Sequence, residues 1–279
     1  MMALAAALPG ALLPATGITL PFSVTAVSLQ ALILGFLTIS VRLSGLMLFA
    51  PFFGSTAVPT QVKAGLVVAL SVLLYPMLAP SLPQHELSDW PVLVLGELLI
   101  GAALGVATNL VFDAVQMAGS VLSVQMGYSL VNILDPQTQV DSTVMALFHQ
   151  TITMLIFLRL DVHLWLLHAI SRSFTVLPPG SMHLSAAFTT ALLRGAGNVF
   201  SLGLHMAAPV LAATFLTDVI IGLLGRASPQ APLMLLGPAV KSLLGLSVLF
   251  ATLKFWPSML DRFFQSSMEL SDYLLQLAR

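Results

Sequence analysis

The chain has 279 residues, 58% of them hydrophobic and only 8% charged, with a net charge of −1. A soluble domain carries about 25% charged residues, so lipid or other proteins must cover most of this surface. The Lys and Arg residues are scattered, which argues against a nucleic-acid partner, and the absence of cysteine excludes disulfides, thiol nucleophiles and thiolate metal sites.

Residues 1–20 are apolar, carry Pro9, Gly10 and Pro14, and lack the basic start of a secretory signal. They read as a lead-in that is mobile or packed on a partner. A first long apolar segment covers about residues 24–50 and ends at Pro51 and Gly54. Pro59 reads as an N-terminal helix proline for a second segment, about residues 60–78, stopped by Pro76, Pro80 and Pro83. A third runs from Pro91 to about Phe112, and small residues at Gly96, Gly101 and Gly105 favour close helix–helix approach.

A polar, glycine-bearing stretch then interrupts the apolar sequence over residues 113–141. It holds Gly119, Ser120, Ser123, Gln125, Met126, Gly127, Tyr128, Ser129 and Asn132, followed by Asp135-Pro136-Gln137-Thr138-Gln139. Lipid does not accommodate exposed irregular backbone, so such a stretch is expected to line a cavity or sit inside protein. Gly119 and Gly127 allow close backbone approach or unusual dihedrals. Met126 offers a flexible side chain that can seal a gap. Gln125, Tyr128, Ser129 and Asn132 can satisfy backbone groups where no regular helix does so.

A fourth segment covers about residues 142–171 and is closed by Pro178-Pro179-Gly180; Arg159 and Asp161 inside it mark a helix end or a kink. A fifth covers about residues 184–224, far more than the roughly 20 residues one span needs. A tight turn with Arg226, Pro229 and Gln230 follows, and a last helix from near Pro232 continues into an amphipathic tail. Charge gives a poor topology. If residues 51–63 are cytoplasmic, counting crossings puts Arg226 there too and the tail with Lys254, Arg262 and Arg279 outside, against the positive-inside tendency.

Ionisable residues within apolar segments are functional candidates with a partner to be named. Here they are Arg42, Glu97, Arg159, Asp161, Arg194, Asp218 and Lys241. Asp218 lies about 10 residues before the hairpin turn and Lys241 about 12 after it, so at about 1.5 Å per residue they share a depth. They are expected to form a structural charge pair, within the hairpin or with a neighbouring subunit. His149, His163, His168, His183 and His205 follow no metal-ligand spacing, and no catalytic or cofactor-binding motif stands out.

The run Val58-Pro59, Lys63-Ala64-Gly65-Leu66, Gly96-Glu97, Gly101 and Leu104-Gly105 leads to the most specific part, Gln125-Met126-Gly127-Tyr128-Ser129 with Asp135-Pro136-Gln137-Thr138. Gly225-Arg226, Pro229-Gln230, Gly237-Pro238 and Lys241 complete it. This pattern resembles the FliR family of flagellar export-gate proteins over about residues 32–254, with Ser120 and Ser123 where relatives often carry Glu and Gly. Ala207-Ala208-Pro209-Val210-Leu211, Gly222 and Pro238 resemble the two-helix export protein FliQ.

The resemblance implies an all-α, membrane-associated bundle of long, tilted and bent helical hairpins. Residues 1–183 form a FliP-like part that includes the polar loop 113–141, and residues 184–279 a FliQ-like hairpin with its amphipathic tail. It implies one copy assembled with FliP-like and FliQ-like subunits, and contact with FlhB-like and FlhA-like proteins, in the inner membrane at the flagellar basal body. The assembly is a channel for unfolded flagellar proteins, surrounded by membrane lipid, and residues 119–139 help to close it. The chain is then no enzyme and needs no cofactor. A virulence injectisome gate is the sister reading. A small-solute secondary transporter is a third, disfavoured because no internal repeat is visible and the charges do not converge on one site.

Overall fold

The computed structural model describes residues 29–54, 58–79, 90–128, 143–227 and 233–279. Among these, all regular structure is helical: α1 (Leu29–Phe49), α2 (Thr60–Leu78), α3 (Trp90–Gln125), α4 (Val144–Arg159), α5 (Val162–Val176), α6 (Ala186–Ala227), α7 (Leu233–Thr252) and α8 (Trp256–Leu277). A short 3₁₀ turn, Leu253–Phe255, joins α7 to α8. Among the described residues five helical stretches are long and apolar enough to cross a membrane, or six if the bent α4–α5 pair is one span. The N-terminal lead-in of residues 1–20 lies outside the described residues.

The central element is α3. Its buried side chains run from Leu93 to Leu122 at helical spacing, and α1, α4, α6 and α8 pack around it. The tightest seam is with α1. A Cβ at Gly101 would run into the carbonyl oxygen of Arg42, and one at Gly105 would lie 2.8 Å from that of Leu46. Only glycine lets these two backbones approach so closely. At the other end, Phe112, Phe157 and Phe264 join α3, α4 and α8 with ring centroids 5.6–6.0 Å apart. Face-to-edge and tilted packing of this kind suits the charge distribution of the rings.

One expectation from the sequence is corrected here. The third segment does not stop near Phe112, because α3 continues unbroken through the polar residues to Gln125. Ala114, Val115, Ala118, Gly119 and Leu122 supply a buried face there, while Asn109 and Asp113 bond one another one turn apart. A polar face is therefore compatible with regular helix when the opposite face packs. α2 ends at Leu78, the expected bound, with Pro76 inside its last turn. A proline so near the end removes few bonds from the helix.

Other boundaries follow the sequence closely. Asp161 adopts a left-handed conformation with φ 54° between α4 and α5, and the two helices bend by 64°. α6 has 42 residues, about 63 Å at about 1.5 Å per residue and roughly twice the ~30 Å of a bilayer core. The amphipathic α8 is docked. It buries Trp256, Leu260, Phe264, Ser267, Ser271 and Leu274, spaced three to four residues apart, and Ser267 Oγ donates to the Ala107 carbonyl at 2.8 Å. Its end is held by His183 N donating to the Ala278 carbonyl at 2.9 Å and Ser185 Oγ donating to that of Leu277 at 3.1 Å.

Candidate functional site

The end of α3 forms an elbow that is pinned to the α6–α7 hairpin. Gly127 has φ +86°, and the helix closes with Tyr128 N donating to the Ser123 carbonyl at 2.9 Å and Gly127 N to the Val124 carbonyl at 3.2 Å. This paired arrangement is the Schellman helix stop, in which the left-handed position favours glycine. The last carbonyls of the helix are thus satisfied by backbone. Of the side chains expected to do that work, Gln125 and Tyr128 act elsewhere: Gln125 Nε2 donates to Asp218 Oδ2 at 3.1 Å, and the Tyr128 hydroxyl bonds Ser242 Oγ at 2.5 Å.

The α7 residues that receive the elbow share one helical face. Pro238, Lys241, Ser242 and Gly245 stand at intervals of three, one and three residues, and such positions align on a helix surface. Lys241 Nζ pairs with Asp218 Oδ1 of α6 within the same hairpin. Asp218 therefore uses one oxygen for Lys241 and the other for Gln125. The pair is half-open to solvent, with side-chain exposures of 23% for Lys241 and 38% for Asp218. Gly127 abuts Pro238, where an added Cβ would meet the proline Cβ at 3.6 Å.

Met126 is packed inside the chain. It is 1% exposed and lies over Gly245, where an added Cβ would be only 2.8 Å from the methionine Cε. It fills the α3–α7 joint. Gly119 is a close-approach glycine, since a Cβ there would lie 2.5 Å from the Ala146 Cα of α4. Ser120 is half-buried and Ser123 fully buried, both within α3. Ser129 and Asn132, and the turn residues Pro229 and Gln230, lie outside the described residues. Arg226 is exposed in the last turn of α6, where a cation suits the negative end of the helix dipole.

The most deeply buried charge is elsewhere. Arg42 is wholly buried, and its Nε donates to Glu97 Oε2 at 2.6 Å. Its Nη1 donates to Ser173 Oγ at 2.9 Å and its Nη2 to the Leu177 carbonyl at 3.1 Å. The guanidinium lies 3.9 Å from the Phe174 ring centroid. The second carboxylate oxygen of Glu97 accepts from Gly180 N at 3.4 Å. One node thus ties α1 and α3 to α5 and the chain that follows it. Sequence reasoning singled out both residues but did not pair them. The available signal was one cation and one anion, each alone in an apolar span, which need each other.

Among the described residues no group of three His or acidic side chains is placed to hold a metal. What the elbow offers is mechanical: a helix end held by a carboxamide–carboxylate hydrogen bond, a hydroxyl pair and a buried methionine.

Residues 33–267 match the family described as Bacterial export proteins, family 1. The chain is 30% identical over 243 residues to the flagellar biosynthetic protein FliR of Pectobacterium carotovorum subsp. carotovorum, covering 85% of this chain and 92% of that one. It is 30% identical to the FliR protein of Escherichia coli K12 over 215 residues, 76% of this chain and 81% of the relative. The FliR protein of Bacillus subtilis 168 is 30% identical over 211 residues, 74% and 81% respectively.

Proposed function

The chain belongs to the FliR family of bacterial export proteins, and on that premise we propose that it is a channel-forming subunit of the flagellar protein-export gate. It assembles with FliP-like and FliQ-like subunits in the inner membrane, next to FlhB-like and FlhA-like proteins. Residues 1–183 play the FliP-like part and residues 184–279 the FliQ-like part. The assembly passes unfolded flagellar proteins, and the region 119–139 helps to close it at rest.

The observation that carries the closing role is the seat of the elbow. Gln125 and Tyr128 are held by Asp218 and Ser242, so the hairpin fixes where the chain leaves α3. Half-exposed polar contacts of this kind are individually weak, about 0–1 kcal/mol for an ion pair. They suit a joint that holds position without locking it. Among the described residues Asp218 pairs with Lys241 and Arg42 with Glu97, which removes four of the apolar-segment charges from the set a small solute could use.

Deleting residues 120–127 would cut the last turns of α3 and the packed Met126, so loss of assembly would mask the answer. Gln125→Ala combined with Tyr128→Phe removes the contacts and keeps the helix. In cells carrying the whole export apparatus, this variant is expected to assemble at the normal level and to leak ions at rest. A gate that assembles and stays as tight as the parent would refute the closing role. Failure of the parent chain to copurify with FliP-like and FliQ-like subunits would refute the gate assignment itself.

A further inference from the structure

Two long helices expose very different faces. The outer face of α6 shows Phe200, Leu204, Phe215 and Leu216, each more than half exposed. On α3, Asn109, Asp113, Gln116 and Ser120 fall four, three and four residues apart, which places them in one stripe along the helix. All four are half-buried or exposed. Asn109, Asp113 and Gln116 line a groove of about 400 Å³ with Gln150 of α4, closed on one side by Phe49 and Phe52 at the end of α1.

Asp113 is the unusual member. Asn109 Nδ2 donates to both its carboxylate oxygens, at 3.2 and 3.3 Å, and the ion pairs among the described residues do not include it. A carboxylate facing lipid would be costly, so an ionisable residue in an apolar, membrane-length helix faces water or a polar partner. The stripe also leads along α3 toward the elbow, Asp113 lying about 18 Å before Gln125 at about 1.5 Å per residue.

We infer that this groove is part of the wall of the hydrated export path and contacts the extended chain in transit. The recognition is of peptide backbone: the Asp113 carboxylate accepts from main-chain N–H groups, and the carboxamides of Asn109, Gln116 and Gln150 both donate and accept. This chemistry ignores the sequence of the passing chain. The apolar face of α6 takes no part in it. The inference rests on the chain being a gate subunit, and adds which of its surfaces meets the cargo.

The absence of cysteine makes a direct test available. Asn109→Cys, Asp113→Cys, Gln116→Cys, Phe200→Cys and Leu204→Cys are placed singly in the chain within the complete gate. Each is then treated with a charged, membrane-impermeant thiol reagent, which reacts with the solvated thiolate. Labelling is read on this chain alone, with and without an export substrate stalled by a folded domain. The first three positions are expected to label, and the stalled substrate to slow labelling several-fold. Positions 200 and 204 are expected to stay unlabelled. No labelling at the three groove positions in gates that still export would overturn the inference and place the groove against a neighbouring subunit. Labelling that a stalled substrate leaves unchanged would also overturn it. The neutral positions 109 and 116 carry the test if Asp113→Cys fails to assemble, and export by the parent chain checks the gate assignment separately.

Discussion

Two ion pairs hold this protein together in opposite ways. Arg42–Glu97 is closed to solvent, with side-chain exposures of 0% and 1%, and every arm of its guanidinium has a partner. Asp218–Lys241 is open at its edge and shares its anion with Gln125. Burial decides what each can do. A buried pair commits the fold, because either charge left alone has no water to turn to. A half-exposed pair is weakly held and replaceable by solvent, which suits a joint rather than a foundation.

The sharpest way to break this comparison is Glu97→Ala. It strands the Arg42 cation in the core and is expected to cost about 3–5 kcal/mol, seen as loss of purified complex or a large fall in its thermal midpoint. Replacing both partners, as in R42M/E97L, should recover much of that loss. A double variant as damaged as the single one would mean that the contacts to Ser173 and Leu177 matter more than the pair.

Next in size is Gly101→Val. The new side chain meets the Arg42 backbone rather than a flexible group, and overpacking of this kind costs about 1–3 kcal/mol. The expected readout is a lower thermal midpoint with the Asp218 region unaffected.

Asp218→Ala is expected to cost no more than about 1 kcal/mol in stability, yet to raise resting ion leak, because the elbow loses its seat. The charge swap D218K/K241D should restore tightness, since the Gln125 carboxamide can turn its oxygen to the new ammonium. A thermal shift as large as that of Glu97→Ala would erase the distinction between the two sites. Smallest of all is Arg172→Ala. Its pair with Asp272 is 52% and 39% exposed, and its loss should shift stability by less than about 0.5 kcal/mol.

Much of the fold was legible from residues alone. The second segment was expected over residues 60–78, and α2 spans Thr60–Leu78. The unusually long fifth segment, expected near residues 184–224, is α6 at Ala186–Ala227. Such features are local: apolar length, a proline at the start, a break at Asp161. The end of α3 is not legible, because the polarity of residues 113–125 suggests irregular backbone. Its backbone stays helical, since the opposite face packs against α4 and α6. The flexibility of Met126 is visible in the sequence, and the glycine beneath it, on another helix, is not.

The candidate site was legible in most of its members and in one of its bonds, Asp218–Lys241. Asp218 and Lys241 could be matched in depth by counting from the turn, because a helix converts residue number into distance. Gln125 and Asp218 are 93 positions apart, and no periodicity links them.

By itself the sequence determined the membrane class, the helical segments and the family, because hydropathy, helix length and motif order are written along the chain. Only the tertiary structure decided which charges are cement and which are hinge pins. Arg42 and Asp218 look alike in sequence, each a lone ionisable residue in an apolar span. What separates them is how many neighbours exclude water, a property of packing across elements 55 and more positions apart.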